Sequence, residues 1–188
     1  MAFIRPSAPP PGFLEENRAP AGHIPNFVST FAARPDVYAA WQQLNGAIKA
    51  NMELRRYELA TLAAATALRS SYCSLAHGQV LANQFLSPDE VAALVDEPPA
   101  DPVDRAVMAF ARQVALAADT VTAADIDGLR TLGLSDEDIL DITLAASARA
   151  FFSKTLDATG TTPDAAFRTT IPAALAEKLT VGRPIDDQ

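Results

Sequence analysis

From residue 36 to residue 158 apolar positions recur at helical spacing, and the strict two-residue alternation of a half-buried strand is missing. Alanine and leucine dominate this stretch, and its segments open with the same chemistry. Ser87-Pro88-Asp89-Glu90 offers a capping hydroxyl, a proline at the first helical position and a carboxylate at the third. Asp101-Pro102-Val103-Asp104, Thr122-Ala123-Ala124-Asp125 and Ser135-Asp136-Glu137-Asp138 repeat that pattern. The pattern predicts helices over 36–49, 52–68, 72–86, 88–95, 102–118, 123–132 and 136–158. In the last, Ile139, Ile142, Leu144, Ala146, Ala150 and Phe151 are expected to form a broad buried stripe. Alanine-rich faces let helices approach closely but bury little area each, so the set is expected to complete its core against other subunits.

Prolines mark the ends. Pro6, Pro9, Pro10, Pro11, Pro20 and Pro25 make residues 1–25 read as an extended arm, laid on a surface by Phe3, Ile4, Phe13, Leu14 and Ile24. Residues 26–160 form the helical domain. Residues 161–188, with prolines at 163, 172 and 184 and one short helical candidate, Pro172–Leu179, form a C-terminal extension expected to pack on it. The expectation is an all-α, single-domain bundle of about seven helices.

Composition narrows the function. The 188 residues are 49% hydrophobic, too apolar for a disordered chain, yet no apolar run approaches the length of a membrane span. Met1–Arg5 leads into prolines rather than an apolar core, so no secretory signal is expected and the location is read as cytoplasmic. A net charge of −8 with scattered basic residues argues against nucleic acid and anionic membranes as partners. The helix-turn-helix-like stretch Ile126–Ile139 does not alter this, since its second helix would open on Ser-Asp-Glu-Asp. No glycine pattern marks a nucleotide loop, and one cysteine with two histidines makes a weak metal set, so no cofactor or metal is expected. Tyr38 and Trp41 read as core or interface anchors, Phe151-Phe152 as packing, and His23 as a surface or packing residue of the arm.

One cluster carries chemistry: Glu58, followed by Arg69-Ser-Ser-Tyr-Cys-Ser-Leu-Ala-His77. Cys73 and His77 are four residues apart and share a helix face. Ser70 and Ser71 are candidate caps, which would place Cys73 in the first turn, where free amides and the helix dipole favour a thiolate. His77, one turn on, adds a proton acceptor, and a hairpin at Arg69–Ser71 would return Glu58 to the same face. The chemistry requires the sulfur to lie within reach of small oxidants.

The segment Glu58-Leu-Ala-x8-Arg-Ser-Ser-Tyr-Cys-Ser-Leu-Ala-His resembles the signature of the alkylhydroperoxidase D-like / carboxymuconolactone decarboxylase family, in particular its peroxidase-related branch. The similarity extends over roughly residues 24–160, through Asp125–Gly133 and Asp136–Phe152. It implies an all-α fold and a homo-oligomer, a trimer or hexamer. It implies Cys73 as peroxidatic cysteine and His77 with Glu58 as the proton relay. Two positions depart: Ser70 stands where the family has its first cysteine, and Tyr72 where some members have another relay histidine.

A sulfenic acid formed at Cys73 could not be resolved by an intrachain disulfide, so the expected activity is one-cysteine reduction of a small-molecule hydroperoxide by an external thiol reductant. The apolar residues Leu68, Leu75, Val80 and Phe85 would suit an organic peroxide. A carboxymuconolactone decarboxylase-like lyase using His77 and Glu58, and a non-catalytic redox sensor, are the alternatives.

Overall fold

The helix at the centre of the molecule is buried on every face along its middle turns. From Tyr57 to Ala65 each residue of α4 (Leu54–Ala67) is buried, Glu58 among them, and α4 packs against α5 (Ser71–Gln84), α7 (Pro102–Ala117) and α9 (Asp136–Thr159). The computed structural model describes residues 3–4, 8–19 and 22–187. Among these the protein is all-α and has no strands, with eleven helices, eight of them seven residues or longer. The remaining elements are α1 (Phe13–Glu16), α2 (Asn26–Phe31), α3 (Pro35–Asn51), α6 (Pro88–Asp96), α8 (Ala123–Thr131), α10 (Phe167–Thr170) and α11 (Ala173–Leu179).

The seven predicted helices correspond to α3–α9, and their start signals explain why. Ser87 with Glu90, Thr122 with Asp125 and Ser135 with Asp138 form reciprocal capping boxes. Each hydroxyl takes a free amide of the first turn, an interaction worth about 1 kcal/mol. Asp101 caps α7 by accepting from the amides of Val103 and Asp104, but no box closes, because Asp104 instead pairs with Arg55 at 2.5 Å. Arg56 reaches Asp138. The adjacent arginines thus tie the start of α4 to α7 and α9.

Two expectations are corrected. The proline-rich segment is not wholly extended: Phe13 is buried in the single turn α1, T-shaped against Tyr38 at 6.0 Å. Pro6 and Pro20 of that segment lie outside the described residues. The buried stripe of α9 is rotated from the expected one. Leu144 and Phe151 are exposed, and the inward residues are Ile139, Ile142, Ala145, Ala146, Ala148, Arg149, Phe152, Ser153 and Leu156.

The ends of the chain cover α5. Phe27 packs on Tyr38, Tyr72 and Phe152, and α11 lies on α5 and α6. Gly78 on α5 makes room for Leu179, whose Cδ1 occupies the space a Cβ there would take.

Candidate active site

The turn between α4 and α5 builds the site. Leu68 ends α4 and Arg69 takes a left-handed conformation, φ 58°. The Ser70 amide donates to the Ala65 carbonyl and the Arg69 amide to Thr66, the pairing that closes a Schellman turn. The reversal lays the start of α5 beside α4 and brings together residues 19 apart in sequence: His77 Nδ1 lies 2.6 Å from Glu58 Oε2. The other carboxylate oxygen, Oε1, is 3.3 Å from Lys49 Nζ on α3.

Charges settle the protonation. Burial raises the Glu58 carboxyl, but the hydrogen bond from His77 and the Lys49 ammonium outweigh it and hold the group below the usual carboxylate range. Burial, then the Arg149 guanidinium, push His77 down to about 4, against the pull of Glu58. At neutral pH Glu58 is therefore ionised and His77 neutral. The imidazole donates its Nδ1 proton to Glu58, which leaves Nε2 as a proton acceptor.

Cys73 occupies the third position of α5, within its first turn. Its cap is not the expected one: Ser70 holds the N-cap position, yet its hydroxyl makes no capping bond, and Ser71 Oγ accepts instead from the Gly182 amide at 2.8 Å. The buried Ser70 Oγ has no hydrogen-bond partner. It stands near Asp157, whose carboxyl burial holds above its usual range. The Tyr72 hydroxyl donates to Asp164, which the Asn26 amide also reaches at 2.7 Å and His23 at 3.7 Å. Burial, reinforced by Asp164, keeps that phenol protonated.

The open thiol expected from the sequence is not found. Cys73 is 1% exposed, and Leu75 is fully buried core rather than a substrate surface. The outer face of α5 is covered by Leu179 and Gly182, more than a hundred residues further along the chain. On the solvent side stand His77, its side chain 12% exposed, and Lys49, 44% exposed.

Arg149 was missed. Its guanidinium, itself buried, places Nη1 3.6 Å from Cys73 Sγ and Nη2 3.4 Å from the Tyr57 hydroxyl, which is held in turn by Asn45 at 2.8 Å. Trp41 and Phe152 flank it, each 5.7 Å from ring centre to guanidinium carbon. Nε has no partner, and among the described residues no carboxylate lies within ion-pair distance. Burial works against this cation, but the sulfur and the Tyr57 oxygen hold its pKa above the ordinary value.

This helical hairpin with a glutamate, a cysteine at the second helix start and a histidine one turn on defines a class of protein. Residues 35–113, from α3 into α7, match the carboxymuconolactone decarboxylase family model. The fold is shared with the alkylhydroperoxidase AhpD core, a peroxidase-related protein from Ralstonia eutropha JMP134, at 26% identity over 88% of this chain and 94% of that one, TM-score 0.76. A peroxidase-related protein from Silicibacter sp. TM1040 aligns at 21% identity over 88% and 93% of the two chains, TM-score 0.78. The debrominase Bmp8 aligns at 18% identity over 89% and 88%, TM-score 0.68. No curated protein matches the sequence. The matched segment and the shared fold together support assignment to the alkylhydroperoxidase D-like / carboxymuconolactone decarboxylase family.

Proposed function

We propose that the protein is a one-cysteine, thiol-dependent peroxidase that reduces a small hydroperoxide at Cys73. The observation that carries this reading is the buried Arg149 guanidinium, which faces the sulfur and has no carboxylate partner among the described residues. Lys49 balances Glu58 and His77 is neutral, so Cys73 Sγ is the group that faces the unbalanced guanidinium.

The steps follow from that arrangement. The thiol proton passes to His77 Nε2, while Glu58 holds Nδ1 and stabilises the resulting imidazolium. The thiolate attacks the distal peroxide oxygen, the S–O bond forms as the O–O bond breaks, and Cys73 becomes a sulfenic acid. The leaving alkoxide takes the proton back from His77. An external thiol condenses with the sulfenic acid, releasing water, and a second external thiol frees Cys73 and leaves as a disulfide. With Cys73 1% exposed, the side chains around the sulfur must part before a peroxide or thiol reaches it.

The test is trapping of Cys73 sulfenic acid under peroxide, read by mass spectrometry, with Cys73→Ser as control. Oxidation well above the rate of free cysteine is expected, and a rate no faster refutes the proposal.

A second reading rests on the Glu58–His77 pair, which can move protons without sulfur. A lyase acting on a carboxymuconolactone-like acid would retain activity in Cys73→Ala, whereas the peroxidase would lose all of it.

A further inference from the structure

The first turn of α5 is gripped from outside by a segment that the reaction itself does not use. The Gly182 amide donates to Ser71 Oγ at 2.8 Å, and Ser74 Oγ donates to the Leu179 carbonyl. Gly182 lies against the Arg69 carbonyl, and a Cβ at position 182 would overlap that oxygen, a contact between backbones that cannot swing aside. The carbonyl belongs to the residue in the left-handed conformation that sets the direction of α5. Arg183 extends the hold, its Nη2 donating to the Asp157 carbonyl of α9 at 2.7 Å.

The sulfur and the clasp act on opposite sides of one helical turn. Ser71 and Ser74 face Leu179–Gly182, while Cys73 faces α9 and Arg149. At 3.6 Å the sulfur–guanidinium contact is already at the long end for a charge-assisted bond, so a small outward rotation of the turn would break it.

We infer that Leu179–Gly182 is a positioning clasp for Cys73, with Gly182 its specific residue: it fixes the Arg69 turn and so holds the sulfur against Arg149. This rests on the reading of Cys73 as the reactive thiolate. Gly182 touches neither the sulfur nor substrate and acts only through the turn.

The test is the pH dependence of Cys73 alkylation by iodoacetamide in the full-length protein, for the wild type, Gly182→Ala and Ser71→Ala. Gly128→Ala is the control, since a Cβ there meets nothing. Both clasp variants are expected to shift the midpoint upward by about one pH unit, equivalent to a roughly tenfold smaller thiolate fraction, with Gly128→Ala unchanged. A folded Gly182→Ala with the wild-type midpoint overturns the clasp. Should Gly182→Ala fail to fold, Ser71→Ala decides in the same way, because it removes the acceptor without adding atoms. Amide exchange across residues 71–75 separates this inference from the peroxidase reading. If the wild type alkylates like free cysteine, that reading fails. The clasp then stands on faster exchange in Gly182→Ala and falls on unchanged exchange.

Discussion

Replacing Arg149 with methionine should weaken the chemistry of Cys73 without weakening the fold. At 3.6 Å the sulfur–guanidinium attraction is about 4–5 kcal/mol at an effective dielectric constant of ~20. The net contribution of a hydrogen bond to a charged group is smaller, about 1.5–3 kcal/mol. At ~1.4 kcal/mol per unit, the alkylation midpoint of Cys73 should rise by about 1–2 pH units in Arg149→Met. Stability should move differently. The substitution removes a buried cation and leaves a flexible apolar side chain between Trp41 and Phe152. The sulfur can take back its proton, and Tyr57 still donates to Asn45. No charge is stranded, so the variant should be neutral or more stable by ~1–3 kcal/mol, read from urea unfolding. An unchanged midpoint refutes the sulfur–guanidinium pairing. A loss of more than about 3 kcal/mol refutes the view that Arg149 serves the sulfur rather than the core.

Three further outcomes are expected. His77 binds its proton near 6.5 when unfolded and only near 4 in the fold, so between those values the unfolded chain holds more protons and stability rises with pH. The span amounts to at most about 3 kcal/mol, and urea unfolding of His77→Gln between pH 5 and 6.5 should be flatter than that of the wild type. Glu58, whose pKa is lowered, loses its own contribution only below that window. In Lys49→Met the His77 titration followed by NMR should move upward from about 4, since Lys49 opposes the imidazolium; Lys49 is 44% exposed, so stability should change by less than ~1 kcal/mol. Arg69→Gly should raise the melting temperature by about 2–4 °C, because glycine removes the left-handed penalty while the carbonyl that meets Gly182 stays in place.

The long helices were legible because their starts are written locally. A Ser or Thr three residues before a carboxylate is a signal complete within four positions, and the three read as helix starts, at Ser87, Thr122 and Ser135, closed as capping boxes. Ser70 shows the limit of that grammar. The position is an N-cap, but the hydroxyl beside it, Ser71, serves an amide 111 residues away, and the Ser70 hydroxyl itself caps nothing. The phase of α9 was misread for a different reason. Alanine fits either face of a helix, so Ile139 and Ile142 allow a stripe through Leu144 and Phe151 as readily as one through Ala145 and Phe152. Only packing against α4, α7 and α3 selects between them.

The same ambiguity hid Arg149, and it explains which half of the candidate site a sequence can display. Glu58, Cys73 and His77 sit on one helical hairpin, within 20 residues, so helical spacing and one predicted turn were enough to group them. Their counter-charges come from elsewhere: Lys49 from α3 and Arg149 from α9, 76 residues beyond the sulfur. An arginine in an alanine-rich helix reads as a solvent-facing residue by default, since a charge is seldom buried without a partner. Placed on the correct stripe, with Ile142 seven residues before it and Phe152 three after, Arg149 is a cation aimed into the core. In the proposed function its counter-group is Cys73 Sγ at 3.6 Å, with the Tyr57 hydroxyl beside it at 3.4 Å. On that reading the hairpin carries the proposed reactive groups and the distant helices supply the charges around them, so a substitution on α3 or α9 retunes the site with every residue of the hairpin intact.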